Sequence, residues 1–471
     1  MSMDKKQQQD AVSRRNFMKK SATVAGAAAG MAGVKTASAG SIAKNILPAS
    51  VLGANEIIRT GHIGLGGMGR ADLGFVMKRD DMLPVALCDL WPANLDRGMQ
   101  MATYKNKAAT KHHDFREIIE NKDVDAVVIA TPDHWHCLCT LHAADAGKDV
   151  YCEKPAATTI AEGKAMIDGV RRNKIVFQAG NMQRSGIHFQ EAVELVKSGH
   201  IGKVSRVETY IHDKDPIESI GMGDDDLATY AAKGCDWDFH QGWTEHQPFN
   251  TNRWIYNFRW FLDYSGGKIT DWGAHLIDIA LWGMGGLDQD PLSVTCQGNK
   301  FVLEDNRTTP DTLETLWEFD DYILSFGNRV WSQYLPEGYQ SHGILFHGTL
   351  GTLRVDRGGY QVYSVENNGG CEELQTGPKS LLNEPHWQNF CDCVRDRKDP
   401  ICKVEVIEQT SKVCHMGTTA YKVGEKLYWD KENQQFGGKN KEVAAQANAW
   451  ANREYQNGWS LEAPYDRRPK A

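Results

Sequence analysis

Between Ile57 and Asp89 the chain reads strand, glycine turn, helix, strand, acid, and no other stretch narrows the possible folds as much. Ile57 to Ile63 is a short β-prone run, and Gly64-Leu65-Gly66-Gly67-Met68-Gly69 follows as a G-x-G-x-x-G. Residues 70–79 place Leu73, Val76 and Met77 on one helical face, and Leu83 to Cys88 forms a second strand ending in Asp89. Each part has a physical task. Gly64 permits the tight turn, Gly66 lets backbone approach a pyrophosphate, and Gly69 lets helix and strand pack closely. The helix N-terminus then faces the phosphate charge. Asp89, twenty residues past Gly69, is placed to accept from an adenosine ribose. A carboxylate there repels a 2′-phosphate, and Leu90-Trp91 follows it, so NAD is expected over NADP, although Arg97 lies further along.

The alternation continues. Residues 92–104 and 114–121 are helix-compatible. Val124 to Ala130 is an apolar strand ending at Thr131-Pro132, and Asp149 to Cys152 is a strand ending at Glu153-Lys154-Pro155. Residues 161–172 are helical and Ile175 to Gln178 is a last strand. Strands alternating with helices predict a doubly wound parallel sheet, with ligands beyond the strands' carboxyl ends, where Asp89, Thr131 and Lys154 lie.

Past Gln178 the character changes. An amphipathic helix over 187–199 leads into a strand over 204–211, and residues 213–250 form a polar, aromatic insertion containing Trp243. Strand-like runs at 292–303, 312–319, 322–328, 342–346, 351–355 and 360–365 predict a large, mostly antiparallel sheet, and 385–397 and 405–428 return to helix. Within Gly266 to Trp282, Asp271 and His275 stand at i and i+4 at helical spacing and so share one face. An acid beside a histidine fixes its tautomer and raises its basicity. Alcohol oxidation needs such a base to take the hydroxyl proton while hydride leaves the carbon. Asp278 reads as a structural partner. Arg184, Trp243, Arg259 and Tyr264 are candidate sugar ligands, each equally at home in a core or at its edge.

The glycine motif, Ala130-Thr131-Pro132, Glu153-Lys154-Pro155 and the later Asp-x-x-x-His together resemble the GFO/IDH/MocA oxidoreductase family, over about residues 57 to 430. The resemblance implies a Rossmann domain followed by an α+β domain with an open antiparallel sheet used in homo-oligomer contacts. It implies that Lys154 contacts the nicotinamide and the reacting hydroxyl, that Asp271 and His275 do acid–base work, and that His136 lies near the cofactor. The expected cofactor set is Gly64, Gly66, Gly67, Met68, Gly69, Asp89, Thr131, Pro132, His136, Glu153, Lys154 and Gln183. No metal is expected, since Asp133-His134-Trp135-His136 with Cys137 and Cys139 lacks a second ligand pair of usual spacing.

Ser13-Arg14-Arg15-Asn16-Phe17-Met18-Lys19, a small-residue run from Ala22 to Val34 and Ala37-Ser38-Ala39 read as a twin-arginine export signal. Residues 1–39 hold seven Lys and Arg against two Asp, a net +5, so with −8 for the whole chain the remainder carries −13. That balance excludes a nucleic-acid partner held by a basic surface, and the Ala- and Gly-rich run is too short for a stable membrane anchor. The expected organisation is a signal over 1–39, a dinucleotide domain over 55–180, a substrate and oligomer domain over 181–430 and an extension over 431–471. Eleven cysteines without regular spacing do not form a disulfide framework, which suits folding in a reducing cytoplasm before export to the periplasm. The expected activity is oxidation of a hydroxyl on a sugar, glycoside or polyol with a tightly bound, internally recycled cofactor. Two alternatives remain: an NAD-dependent glycosidase or keto-sugar lyase working through transient oxidation, and a non-catalytic sugar-binding protein.

Overall fold

The computed structural model describes residues 57–212, 219–287, 289–330, 339–365, 370 and 375–462. The export-signal reading of residues 1–39 lies outside them. Six strands form the first sheet: β1 (Ile58–Ile63), β2 (Met82–Cys88), β3 (Thr110–His112), β4 (Ala126–Ile129), β5 (Asp149–Cys152) and β6 (Phe177–Ala179). Their order is β3-β2-β1-β4-β5-β6 and every pairing is parallel. The order reverses between β1 and β4, which opens a crevice at their carboxyl ends. The central strands are buried on both faces, so they read as nearly unbroken apolar runs. The short β3, Thr-Lys-His, carries no such run and escapes a sequence reading.

The second sheet has ten strands: β7 (Val204–His212), β8 (Ser293–Asn299), β9 (Thr312–Glu318), β10 (Ile323–Arg329), β11 (His342–Gly348), β12 (Gly351–Asp356), β13 (Gly359–Ser364), β14 (Thr376–Pro378), β15 (Leu427–Asp430) and β16 (Gln435–Gly437). Their order is β14-β13-β12-β11-β7-β10-β9-β8-β15-β16, and only β7 and β10 pair in parallel. β9 shows why one face stays open. Leu313 and Trp317 point into the core, while Glu314, Leu316 and Glu318 alternate outward. The inner face packs on the helices Gly273–Gly283 and Val404–Val423. In the latter, a Cβ at Gly417 would stand 2.5 Å from Ile269 and 2.8 Å from Trp317, so only glycine admits the contact.

Three late segments cross the boundary expected near residue 180. The helix Asn383–Asp396 covers one face of the first sheet, with Trp387, Phe390 and Val394 against Ile58, Val128 and Tyr151. Trp387 stacks on Tyr151 with ring centroids 4.1 Å apart. Chain from the region 219–264 lies over the first sheet's carboxyl edge, where Trp254 meets Trp91 edge-on at 5.9 Å. Finally, Trp459 packs on Trp135 at 5.1 Å and Tyr455 stacks on Trp243 at 4.2 Å. Aromatic pairs of this kind add to the burial of large apolar surface. No described helix is long and apolar enough to cross a membrane.

Replacing Trp387 by Ala removes a fully buried indole that two sequence-distant elements share. The expected cost is about 3–5 kcal/mol, read as a lower denaturant midpoint for the whole chain; an unchanged midpoint would show that the helix is not integral to the first sheet.

Candidate active site

The glycine turn divides its labour by geometry. Gly64 has φ +88, and a Cβ there would stand 2.5 Å from the Ala130 carbonyl oxygen. A Cβ on Gly69 would meet the Gly64 oxygen at 2.0 Å. These two are fixed by packing. At Gly66 and Gly67 a Cβ would meet nothing within 4 Å; both border a cavity of about 430 Å³. Gly66 is the N-cap of the helix Gly67–Lys78 and supplies no capping side chain, and no acid occupies the first turn. The helix therefore presents free N–H groups to the cavity, as an anion requires. Asp89 lies at the far end of the crevice, where its carboxylate accepts from Leu65 N at 2.6 Å and Trp91 N at 2.7 Å. The carboxylate keeps acceptor capacity for a ligand hydroxyl. The Thr131 hydroxyl borders the same cavity, buried and unpartnered. Free amides, an acid at ribose distance and an unfilled hydroxyl fit a dinucleotide laid along the crevice.

At the other end, Lys154 leaves β5 and donates to Asp271 Oδ1 at 2.5 Å and to the Asp271 carbonyl at 3.1 Å. Arg259 approaches Asp271 Oδ2 at 3.7 Å. Burial alone would raise the Asp271 pKa, but Lys154 and Arg259 outweigh it and hold the carboxyl well below its usual range. Asp271 thus serves these two cations, which departs from the expectation that it orients His275. The reason is local. Asp271 ends one short helix, Lys268–Asp271, and Trp272 separates it from the next, Gly273–Gly283, so the i, i+4 face is broken. His275 sits 4 % exposed, its Nδ1 buried without a hydrogen-bond partner. Burial, with Lys154 and Arg357 adding to it, pushes this imidazole well below its usual value and keeps it neutral.

The other candidates separate clearly. Met68, Pro132, His136, Glu153 and Arg259 border the cavity with Gly64, Gly66, Gly67, Asp89, Thr131, Lys154 and Asp271, whereas Gly69 and His275 lie off its lining. His136 lies between the Pro155 and Thr131 carbonyls, at 2.7 and 2.9 Å; burial lowers its pKa to about 4, so its ring is neutral and donates to one of them. Gln183 lies off the cavity lining, donating to the His275 carbonyl at 3.4 Å and accepting from Arg357. Three expected sugar ligands are core residues instead. Arg184 is clamped on Asp278, its Nε and Nη2 within 2.7–2.9 Å of the carboxylate, with side chains 7 % and 1 % exposed. Trp243 donates to the His134 carbonyl at 2.5 Å, and Tyr264 is fully buried. A buried ion pair or indole satisfied internally has nothing left for a ligand.

Three aromatic residues at the site gave no sequence signal. Trp254, Tyr256 and Phe258 form the cavity's outer wall. Tyr256 has φ +60, rare for a bulky residue, and the Arg259 guanidinium lies 4.4 Å over its ring. Asp133 borders the cavity and accepts from Ser265; burial raises its pKa to about 7. Glu153, its Oε1 unpartnered, is pushed by burial to about 7 as well. The ten described cysteines are all buried and free, and the described residues hold no cluster of metal ligands.

Residues 58–181 match the model of an oxidoreductase family with an NAD-binding Rossmann fold, and residues 231–354 match the GFO/IDH/MocA C-terminal domain. The chain belongs to the GFO/IDH/MocA oxidoreductases. Its cofactor is NAD, in the crevice just described. Among relatives of this GFO/IDH/MocA protein, the 2,7-anhydro-N-acetylneuraminate hydratase of Mediterraneibacter gnavus is 25% identical over 307 residues, 64% of this chain and 66% of that one. The scyllo-inositol 2-dehydrogenase (NAD+) of Bacillus subtilis is 25% identical over 292 residues, 60% and 72%. The matched stretch thus spans about two thirds of these relatives. The WlbA dehydrogenase of Bordetella pertussis, solved with NADH and UDP-GlcNAcA, shares the fold at a TM-score of 0.57 and 18% identity, covering 79% of this chain and 99% of that one.

Asp133 gives the site a pH signature. Its native pKa of about 7 lies above the usual 3.8, so the folded state holds a proton that the unfolded chain releases. The associated stability is complete below about pH 4 and is lost as pH climbs through 7. Asp133→Asn has no proton to lose. Its melting temperature relative to the parent should therefore rise between pH 5 and pH 8; a constant difference would contradict the assignment.

Proposed function

We propose that the protein is an exported oxidoreductase that oxidises a hydroxyl of a sugar, glycoside or polyol and keeps its NAD bound between turnovers. The observation that carries this reading is the meeting of Lys154 and Asp271 at the nicotinamide end of the cavity, with a neutral, unpartnered His275 on the next helix. NAD, when bound, would supply the hydride acceptor. The His275 imidazole takes the hydroxyl proton, for which a neutral ring is required. Lys154 donates to the substrate oxygen and stabilises charge developing there. Asp271 is a positioning residue: it holds the ammonium in place.

Export rests on the twin-arginine pattern in residues 13–19 and the Ala37-Ser38-Ala39 site. Outside the cytoplasm a dissociable NAD would be lost, so the redox cycle closes on one bound nucleotide. The aromatic wall of Trp254, Tyr256 and Phe258 over the crevice suits that retention. The outward alternation on the second sheet, with Leu316 43% and Ile323 47% exposed, supports a homo-oligomer formed through that face.

The purified protein, denatured, should release NAD(H) in near-equimolar amount; nucleotide-free protein would end the retention proposal. His275→Ala should lose at least about 100-fold in turnover and still hold its nucleotide. Turnover within about three-fold of the parent would remove His275 as the base. A panel of aryl glycosides separates the lyase or glycosidase reading, in which aryl alcohol appears with no net NADH.

A further inference from the structure

Beside the Lys154–Asp271 contact, Trp272 gathers three polar side chains, one from the next helical turn and two from distant parts of the chain. The His275 ring centroid lies 6.1 Å from it, the His342 ring 4.7 Å, and the Arg357 guanidinium 4.8 Å over its face. His342 opens β11, and Arg357 occupies the turn between β12 and β13, where Asp356 Oδ1 accepts from Gly358 N at 2.7 Å and fixes the hairpin. All three have unfilled hydrogen-bonding capacity. His275 Nδ1 and His342 Nε2 are buried without partners. Arg357 spends only Nε, on Gln183 Oε1 at 3.3 Å; among the described residues its terminal nitrogens donate to nothing and no carboxylate lies within ion-pair distance.

Stacking on an indole accounts for part of this placement. It leaves the planar fork of Nη1 and Nη2 unused. Burial lowers the Arg357 pKa, and the acid opposing that is Asp271, already engaged with Lys154 and Arg259. A half-buried cation without a counter-ion is incompletely solvated, and a ligand that brings the anion relieves that cost. The site thus carries surplus positive charge in a chain of net −8. Guanidinium forks match the two oxygens of a carboxylate, whereas a single fork leaves much of a phosphate dianion unsatisfied.

We propose that Arg357 receives the carboxylate of an acidic sugar, a uronate, whose ring rests against Trp272 and whose hydroxyls reach His275 and His342. This rests on the oxidoreductase reading and names its substrate class. Arg357 is then a specificity residue, selecting uronates over neutral sugars.

The test uses the full chain with its bound nucleotide. Methyl glucuronide, galacturonide and mannuronide are each titrated by calorimetry against the matching neutral methyl glycoside, with glucose 6-phosphate alongside. At least one uronide should bind roughly ten- to hundred-fold tighter than its neutral partner. Arg357→Gln should erase that preference while changing neutral-glycoside binding less than about three-fold, and Arg357→Lys should keep part of it. Equal binding of acid and neutral partners by the parent protein, tightest binding of the sugar phosphate, or an undiminished preference in Arg357→Gln would overturn the proposal. The comparison within the parent needs no variant to fold. A uronide that binds through Arg357 yet leaves the bound nicotinamide spectrum unchanged would sustain the anion site and sink the oxidoreductase reading. Oxidation of neutral glycosides without any acid preference would do the reverse.

Discussion

The Lys154–Asp271 contact is the joint on which the molecule's chemistry turns. Lys154 ends a strand of the parallel sheet, and Asp271 belongs to the half built on the antiparallel sheet. Neither half alone sets a charged ammonium beside both the dinucleotide crevice and the neutral imidazole of His275. Burial makes the pair consequential. With side chains 17% and 14% exposed, the Lys154 charge is little screened by solvent. Burial would raise the Asp271 pKa, and Lys154 and Arg259 facing it hold the carboxyl below its usual range.

Around that joint, charge is arranged by contrast. Asp271 is held ionised by its cations, while burial pushes Asp133 and Glu153 to about 7. His136 and His275 are kept neutral by burial. Acids with opposed environments in one cavity are a recurrent property of sites that move protons. The buried Arg184–Asp278 pair, by comparison, is closed on itself and fixes the helix Gly273–Gly283 that carries His275.

What could be read from sequence was what local chemistry dictates. The glycine turn, Asp89 and the strands ending at Thr131 and Lys154 announce themselves because turn, helix and acid are set by nearest neighbours. Strands β7 to β13 of the second sheet were legible for the same reason, since β9 alternates cleanly, whereas the short β14, β15 and β16 were not, and β15 begins inside a run read as helix. Periodicity misled at Asp271 and His275, because a shared helical face assumes an unbroken helix and Trp272 interrupts it. Arg184 and Tyr264 look like ligands in sequence, yet their surroundings come from across the chain. Arg357, His342 and the aromatic wall gave no signal, because a turn residue such as Arg357 becomes significant only when the fold brings Trp272 beneath it.

The helix Asn383–Asp396 has a consequence for how the chain is made. It is translated some two hundred residues after the last strand of the parallel sheet, yet it covers the Ile58, Val128 and Tyr151 face. Tyr455 and Trp459 are later still, and they close over Trp243 and Trp135. Vectorial synthesis lets many N-terminal domains fold first. Here the nucleotide half keeps bare apolar surface until the segments carrying Trp387, Tyr455 and Trp459 have left the ribosome, so the crevice is completed by residues made long after its own strands.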